Sequence, residues 1–346
     1  MRILVTGGAG FIGKNLIFKL LSSPNNIVFN IDKLSYASHH KPIEDYCIKT
    51  NNNRYSLLNI DLTNESNTFE ALKIANPEII FHLAAESHVD RSIFRPIDFI
   101  KNNIVGTYNL LSASLNFYNN LKKDKQEKFK FLHISTDEVF GTLGSNGHFS
   151  ENSQYDPRSP YSASKASSDH LVKAWHHTYS LPVIISNCSN NYGPWQYPEK
   201  LIPKIIFNAI KGHEIPIYGN GSNIRDWLFV EDHIDALILL SKFGKTGETY
   251  CIGGNGERSN NEVANEICKT LDKKFPSRSA HKELIRYVLD RPGHDQRYAI
   301  DFSKMKSKYG WEPKYNFTEG LLKTVDWYLG NITWMEQIIK RPDYNF

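Results

Sequence analysis

Two residues at helical spacing have the side chains best suited to acid–base chemistry. Tyr161 and Lys165 lie four positions apart in the segment YSASK, so they share one face of a helix. A cationic lysine beside a tyrosine favours the tyrosinate, which makes Tyr161 a usable base near neutral pH. The spacing predicts an oxidising site, although taken alone it also fits an ordinary solvated pair.

Three adjacent polar residues, Thr136, Asp137 and Glu138, follow the apolar run FKFLHIS. A strand that ends in two acids would hold them at the carboxyl edge of a sheet, where α/β proteins place their active sites. Dehydration needs one group to remove a proton from carbon and another to protonate the departing hydroxyl. Two acids can divide these tasks when their environments differ. The alternative is a solvated acidic turn.

A glycine-rich turn near the N-terminus indicates a dinucleotide site. In TGGAGFIG, Gly8, Gly10 and Gly13 match GxGxxG, and Gly7 is an additional glycine. The motif follows a strand pattern and opens a helix, as a pyrophosphate-binding loop requires. Asp32, at the end of the second strand, favours NAD over NADP because a carboxylate accepts from a ribose hydroxyl and repels a 2′-phosphate. The neighbouring Lys33 weakens that preference.

The elements that must position these residues alternate between short apolar strands and longer amphipathic helices. This alternation predicts a Rossmann-type, doubly wound parallel sheet with a smaller mixed α/β C-terminal substrate domain. The predicted strands are 2–6, 27–31, 54–59, 79–83, 129–135 and 182–186, and the most prominent predicted helices are 11–22, 96–118 and 161–179. The predicted NAD-binding domain covers 1–187, with 227–253 returning to it, and the predicted substrate domain covers 188–226 and 254–346.

Composition excludes several classes of protein. The 41 basic and 37 acidic residues leave a net charge of +4, too even a balance to predict nucleic acid or a membrane surface as the main partner. The 4 cysteines and 13 histidines form no cluster with ligand spacing, so no metal is expected. With neither a signal peptide nor a spanning segment in the sequence, the expected location is cytoplasmic.

Taken together, these motifs resemble the extended short-chain dehydrogenase/reductase family, and within it the nucleotide-sugar 4,6-dehydratases. The segments that carry the resemblance are STDEVFG at 135–141, LAAESHVDRS at 83–92, NNYGPWQYPEKLIP at 190–203, RDW at 225–227 and DRPGHD at 290–295. Two departures are Phe140, where the family usually has tyrosine, and Asn102, where relatives often have threonine.

The resemblance implies the mechanism and the ligands. Tyr161 would deprotonate the C4 hydroxyl of a hexose while Thr136 orients it, Glu138 would take the C5 proton, and Asp137 would protonate the C6 hydroxyl. The implied cofactor is tightly held NAD, and the implied partners are a nucleotide sugar, with dTDP-glucose favoured over UDP-glucose, and a second copy of the chain in a homodimer through helices 96–118 and 161–179.

The same resemblance assigns binding residues. Those expected to contact NAD are Gly7, Gly10, Phe11, Ile12, Gly13, Asp32, Lys33, Leu34, Ser35, Asp61, Leu62, Leu83, Ala84, Ala85, Ser87, Asn102, Tyr161, Lys165 and Asn191. Those expected to contact the sugar nucleotide are Ser87, Thr136, Asn190, Lys200, Leu201, Pro216, Tyr218, Arg225, Asn260, Arg291 and His294. His82 and His88 are expected to be core or hydrogen-bonding histidines.

Three alternatives stay open at this point. One is the same reaction on UDP-glucose, whose enzymes share these catalytic residues. Another is a nucleotide-sugar 4-epimerase or decarboxylase, although such relatives lack the Thr136-Asp137-Glu138 triplet. The third is a non-catalytic NAD-binding scaffold. It predicts damage to one or more of the catalytic residues, and all four are intact: Tyr161, Lys165, Asp137 and Glu138.

Overall fold

The computed structural model describes residues 1–342 and 344. Residues 343, 345 and 346, which belong to the predicted substrate domain, lie outside the described part. The chain divides into two compact units: the first contains Met1–Val139, Gln154–Asn187 and Ile234–Tyr250, and the second contains Phe140–Ser153, Cys188–His233 and Cys251–Phe346.

Strands and helices alternate through the first half of the chain. The described strands are β1 (Arg2–Thr6), β2 (Ile27–Ile31), β3 (Tyr55–Leu58), β4 (Ile79–His82), β5 (Lys130–Thr136), β6 (Val183–Cys188), β7 (Asn190–Tyr192), β8 (Ile215–Tyr218), β9 (Ile224–Phe229), β10 (Thr249–Ile252), β11 (Glu257–Ser259) and β12 (Ile285–Val288). The α-helices are α1 (Phe11–Leu21), α2 (Lys41–Lys49), α3 (Glu65–Ala75), α4 (Val89–Phe94), α5 (Pro96–Phe99), α6 (Gly106–Asn119), α7 (Lys123–Gln126), α8 (Pro160–Tyr179), α9 (Leu201–Lys211), α10 (Val230–Phe243), α11 (Asn260–Lys274), α12 (Ser303–Tyr309), α13 (Phe317–Gly330) and α14 (Ile332–Ile339). Short 3₁₀ turns span Asp137–Phe140 and His281–Leu284.

The largest sheet confirms the predicted doubly wound architecture. Its strand order is β10-β6-β5-β4-β1-β2-β3, and the pairs β1–β2, β2–β3, β1–β4 and β4–β5 are parallel. From β1 the chain moves outward through β2 and β3 and then returns to β4 on the other side of β1. Ligands of open α/β sheets bind at the carboxyl ends of the strands beside such a reversal. The chain leaves β1 at Gly7, β4 at Leu83 and β5 at Asp137.

One predicted helix has an irregular centre. The segment predicted as a single helix over 96–118 consists of α5, a π-helical segment at Ile100–Val105, and α6. The sequence pattern stays amphipathic and helical throughout, so it does not reveal the wider turn. The π-helical segment contains Asn103, whose side chain makes the contacts described below.

The second unit contains two small sheets. One has the order β11-β9-β7, with β11 antiparallel and β7 parallel to β9, and the other pairs β12 with β8. Aromatic rings fill its core, where Tyr192 packs on Phe229 and Phe317 at centroid distances of 5.6 and 5.3 Å. No helix in the described residues is both long enough and apolar enough to cross a membrane.

Two segments differ from the predicted domain boundaries. Of 227–253, only Ile234–Tyr250 lies in the first unit, because β9 pairs with β7 and β11 and not with the large sheet. Residues Phe140–Ser153 lie in the second unit. Their backbone pairs with a late segment of the chain, since the amide of Phe149 donates to Ala299 and the amide of Asp301 donates to Phe149.

Candidate active site

The glycine turn after β1 is built so that only glycine fits at several positions. Gly7 has φ +70°, and a Cβ there would lie 2.8 Å from backbone atoms of Ala84. A Cβ on Gly13 would overlap the carbonyl oxygen of Gly7. Gly10 is the N-cap of α1 and provides no capping side chain, so the first amides of the helix are left for an anionic ligand. Phe11 and Ile12 lie in the first turn of α1.

Asp32 joins the glycine turn to the loop after β2. Its Oδ2 accepts from the amide of Ala9 at 2.9 Å, and its Oδ1 accepts from the amide of Leu34 at 2.8 Å and from Oγ of Ser38 at 2.9 Å. A carboxylate offers about four acceptor positions, so three protein bonds leave room for one ribose hydroxyl. The same loop contains Ser35, whose carbonyl accepts from the amide of Ser38.

Three residues predicted to contact the cofactor meet at Lys33. Its Nζ donates to Oδ1 of Asn102 at 2.6 Å and lies 3.9 Å from Oδ2 of Asp61. Glu86, which the sequence did not single out, places Oε1 3.8 Å from the same ammonium. Burial raises the pKa of Glu86. Because carboxylates surround Lys33, this corner favours a ribose hydroxyl over a phosphate. Leu62 is buried beside it.

The loop after β4 is fastened by Thr6 and Asn103. The amide of Leu83 donates to the carbonyl of Thr6, and the amide of Ala84 donates to Thr6 Oγ1 at 3.1 Å. Asn103 accepts from the amide of Glu86 at 2.8 Å and donates to its carbonyl at 3.0 Å. Ala85 and Ser87 are exposed in this loop. Sequence reasoning also missed Asn103, because its pattern does not reveal the π-helical segment on which this residue lies.

The structure confirms the expectation that His82 is a buried, hydrogen-bonded residue. Its Nδ1 pairs with Thr6 Oγ1 at 2.8 Å and its Nε2 with Thr107 Oγ1 at 2.9 Å. Burial, with smaller contributions from His133 and Lys165, holds its pKa well below the ordinary value. His88 immediately precedes α4 and makes no capping hydrogen bond to it.

Helix α8 carries the predicted base. A capping box between Ser159 and Ser162 and a proline at its first position fix where it begins. Tyr161 is buried, and Phe99 meets it edge-on at a centroid distance of 6.2 Å. Lys165 is also buried, and its Nζ donates to the carbonyl oxygen of Ile134 at 2.8 Å. The ammonium therefore contacts the strand that ends in the two acids.

The predicted acids lie where β5 ends and a 3₁₀ turn begins. Thr136 donates to Oδ1 of Asp137 at 3.2 Å, and the amide of Glu138 points to Thr136 Oγ1 at 3.3 Å. The side chain of Asp137 is almost fully buried, whereas that of Glu138 is half-buried. The two carboxyl groups therefore occupy different environments. All five predicted catalytic residues belong to the first unit.

In the second unit, two predicted substrate residues, Arg225 and Arg291, bring positive charge close to a third, His294. Arg225 donates to the carbonyl of Asp295 at 2.9 Å, and its guanidinium lies 4.2 Å from the ring centre of Tyr298. His294 pairs with Asp290 at 2.6 Å. Burial lowers the pKa of His294, and the charges of Arg291 and Arg225 lower it further. Such a positive potential suits an anionic ligand.

Other predicted substrate residues of the second unit lie on β8 and at the starts of α9 and α11. Tyr218, on β8, meets the ring of His294 edge-on at 6.3 Å, and Pro216 lies on the same strand. Asn260 begins α11, and its amide donates to the carbonyl of Asn223. Lys200 and Leu201 form the start of α9.

Two adjacent asparagines on β7 differ in their bonding. Oδ1 of Asn190 is buried and makes no hydrogen bond within the described chain, as expected of an acceptor that faces a ligand. Asn191, predicted to lie near the cofactor, accepts at Oδ1 from Nδ1 of His233 at 2.8 Å and donates through Nδ2 to the carbonyl of Ser189. Its side chain is therefore engaged within the second unit.

Comparison with known proteins adds to this geometry. The family described as GDP-mannose 4,6 dehydratase matches residues 4–324. A dTDP-glucose 4,6-dehydratase from Shigella flexneri is 49% identical over 347 residues, which cover 98% of this chain and 95% of that protein.

Two solved structures are similar over nearly the whole chain. The dTDP-glucose 4,6-dehydratase from Bacillus anthracis in complex with NAD is 40% identical, with a TM-score of 0.86 and coverage of 98% of this chain and 99% of that one. DesIV, the dTDP-glucose 4,6-dehydratase of Streptomyces venezuelae with NAD bound, is 37% identical, with a TM-score of 0.88 and coverage of 98% and 100%. The chain therefore belongs to the dTDP-glucose 4,6-dehydratase family of the extended short-chain dehydrogenases/reductases.

Proposed function

We propose that this chain converts dTDP-glucose into dTDP-4-keto-6-deoxyglucose, with NAD as a bound cofactor that is restored in each cycle. The observation that carries the proposal is the bond from Lys165 to Ile134. It holds the helix that carries Tyr161 against the strand that leads into Asp137 and Glu138, so the oxidising and the eliminating groups lie in one unit. A simple dehydrogenase would need only the oxidising groups.

The glycine turn fits a dinucleotide. The absence of side chains at Gly7, Gly10 and Gly13 and the uncapped start of α1 suit a pyrophosphate. Asp32 would hold the adenosine ribose, and Lys165 the nicotinamide ribose. When bound, NAD⁺ supplies the acceptor for hydride from C4 and the donor that returns it to C6.

Tyr161 removes the proton of the C4 hydroxyl in this proposal. Lys165 lies one helical turn away, and its positive charge favours the tyrosinate. Both side chains are buried, so the charge acts in a medium of lower dielectric than water. Thr136, at the end of β5, orients the hydroxyl.

Glu138 and Asp137 perform the elimination. The 4-ketone makes the C5 proton acidic, and Glu138 takes it while Asp137 gives a proton to the departing C6 hydroxyl, which leaves as water. C5 is reprotonated when hydride returns to C6. The half-buried Glu138 and the almost fully buried Asp137 have the different surroundings that such a division requires. A 4-epimerase would have no use for either carboxyl group.

The nucleotide would be bound by the second unit. Arg225 and Arg291 carry guanidinium forks suited to the diphosphate, and their combined charge already acts on His294. Tyr218 would pack on the base, and the unbonded oxygen of Asn190 would accept from the substrate. Thymidine is favoured over uridine by the relatives, since the three compared proteins are dTDP-glucose enzymes.

A homodimer is the second part of the proposal, and its support is an apolar surface of the first unit. The exposed apolar residues here are Phe94, Ile97, Ile100, Val105 and Tyr108. Tyr108 also meets Trp175 of α8 edge-on at 5.9 Å, so the surface continues onto the second helix predicted for the interface. Contiguous exposed apolar patches mark association sites.

A cytoplasmic location for this protein stays a prediction.

The activity is tested by incubating purified protein with dTDP-glucose or UDP-glucose without added cofactor. We expect the 4-keto product, detected by its absorbance in alkali, from dTDP-glucose and more slowly from UDP-glucose. A product with the C6 hydroxyl retained and inverted C4 would identify an epimerase instead. No turnover after addition of NAD would contradict the proposed function.

Oligomeric state is tested with Ile100→Asp, which places a charge in the exposed apolar surface. Light scattering coupled to gel filtration should report a dimer for the unchanged protein and a monomer for this variant. Ile48→Asp is the matched control, because Ile48 is 75% exposed on α2, outside that surface. A monomeric unchanged protein would remove the dimer from the proposal.

A further inference from the structure

A buried carboxylate that no part of the mechanism uses lies on α8. Asp169 is fully buried, and its Oδ2 accepts from Oγ of Ser135 at 2.8 Å, from the hydroxyl of Tyr155 at 2.8 Å and from Nδ2 of Asn187 at 3.3 Å. Its Oδ1 lies 3.1 Å from Nε2 of His133. One carboxylate thus contacts two residues of β5, the end of β6 and the segment before α8.

The charge of this carboxylate is retained inside the protein. Burial alone would raise the pKa of Asp169, but the contact with His133 and the charge of Lys165 outweigh it, so the pKa lies below its ordinary value. Burial and the charge of Lys165 lower the pKa of His133 to about 4. The imidazole is therefore neutral near pH 7, and a proton on Nε2 is the tautomer that suits a carboxylate neighbour.

The contacts of Asp169 end next to the proposed catalytic residues. Asp169 is one helical turn beyond Lys165 on α8, on the same face. Ser135 directly precedes Thr136, and Asn187 donates both to Asp169 and to the carbonyl of Thr136, the latter at 3.1 Å. The carboxylate therefore connects the backbone just before the acids to the helix that carries the base.

We propose that Asp169 is a positioning residue for the dehydratase reaction, which fixes the end of β5 against α8 so that Asp137 and Glu138 stay in register with Tyr161. This inference rests on the proposed function. The three hydrogen bonds to Oδ2 of Asp169 hold their donors in one arrangement, and small displacements of reacting groups are costly to catalysis. A carboxylate with only a structural role would support folding without affecting kcat, the rate at which bound substrate is converted.

The test replaces Asp169 by asparagine, which keeps the shape but turns one acceptor into a donor that faces other donors. We expect kcat for dTDP-glucose to fall about 10²-fold while KM is unchanged, because Asp169 contacts no ligand in this proposal. The matched control is Asp232→Asn. Asp232 is equally buried and accepts from the amides of Lys314 and Tyr315, both at 3.1 Å, in the second unit. The Asp232→Asn substitution should lower the melting temperature and leave kcat unaltered.

Ser135→Ala is a milder second variant, useful if Asp169→Asn does not fold. It removes one donor to Asp169 and should lower kcat with KM retained. In the double variant the two effects should not add, because both break the same bond. Equal kcat for Asp169→Asn, Asp232→Asn and the unchanged protein would overturn the proposal, as would an unchanged kcat for Ser135→Ala. If the unchanged protein itself fails to turn over dTDP-glucose, the proposed function is what fails.

Discussion

The ammonium of Lys165 donates to the carbonyl oxygen of Ile134 at 2.8 Å, two residues before the strand β5 reaches Thr136. One lysine is thus both the charge beside Tyr161 and a bond between α8 and β5. A methylene chain without the ammonium would retain the packing of this side chain but lose both of these contributions. Lysine at this position therefore has a structural role, through its hydrogen bond to β5, as well as an electrostatic one.

Lys165→Met should lower kcat by about 10²–10⁴-fold, the usual contribution of acid–base assistance, because the tyrosinate loses its stabilising charge. The rate of 4-keto product formation, measured across pH, checks this. The acidic limb, on which the rate rises as the base Tyr161 loses its proton, should move to higher pH. Lys73→Met is the control, since Lys73 is exposed on α3 and pairs only weakly with Glu70. Equal rates for both variants would contradict the role of Lys165.

Glu138→Gln should separate oxidation from elimination. The variant keeps Tyr161 and Lys165, so C4 oxidation continues, but water loss should slow by about 10²–10⁴-fold because no group takes the C5 proton. The measurement compares product formation with the absorbance of reduced nicotinamide on the enzyme, which should rise and persist. Exchange of the C5 proton with deuterium from solvent should also be lost. Dehydration at the normal rate would show that another group is the C5 base.

Alanine substitutions at two glycines of the cofactor turn should impair different properties, protein stability at Gly13 and NAD binding at Gly10. In Gly13→Ala the new methyl overlaps the carbonyl oxygen of Gly7, so the protein should lose about 1–3 kcal/mol of stability, as overpacking does. In Gly10→Ala the nearest atom is the same oxygen at 3.2 Å, so the fold should survive while bound NAD is lost. Thermal melting and the nucleotide released on denaturation distinguish the two. Full NAD content in Gly10→Ala would argue against a close pyrophosphate at that position.

Acid should destabilise the first unit through His133. Its pKa is lowered to about 4 in the folded protein, chiefly by burial, from 6.5. Between these values the unfolded chain binds a proton that the folded protein does not, so stability is complete above pH 6.5 and falls as pH decreases towards 4. From pH 7 to 5 this one histidine should cost about 2 kcal/mol.

Urea unfolding at the two pH values measures that cost. His133→Asn should be less stable at pH 7 but should lose about 2 kcal/mol less than the unchanged protein on going to pH 5. His177→Gln, at an exposed position of α8, should keep the original pH dependence. The same dependence in all three proteins would mean that His133 titrates alike in the folded and unfolded chain.

Much of the first unit follows from its sequence because local pattern and tertiary structure agree there. β1, β2 and β4 are almost uniformly apolar and lie inside a sheet, and TGGAGFIG can adopt its turn only with glycine. The domain boundaries were harder, since the pairing of Phe149 with residues near Ala299 joins segments far apart in the chain. No local pattern encodes such a pairing.

The candidate site was predicted where residue types are distinctive and missed where they are ordinary. Tyr161, Lys165, Asp137 and Glu138 stand out by type and spacing. Asp169 does not, because an aspartate on an amphipathic helix usually faces water. Only the structure shows that Asp169 is buried and hydrogen-bonded to residues of β5 and β6. Glu86 and Asn103 escaped notice for the same reason: their partners are backbone groups and a distant lysine.

The π-helical segment Ile100–Val105 makes the number of residues in this stretch a constraint in its own right. Its wide turn directs Asn103 to the backbone of Glu86 and to Oγ of Ser164, while the carbonyl of Asn103 accepts from Ser168. Removing a single residue here would let the segment close into ordinary α-helical turns, with the flanking helices in nearly the same orientation but the residues within the segment pointing in new directions. Asn103 would then face elsewhere, even though every side chain type was preserved. A one-residue deletion should thus harm the loop after β4 more than many substitutions within the segment.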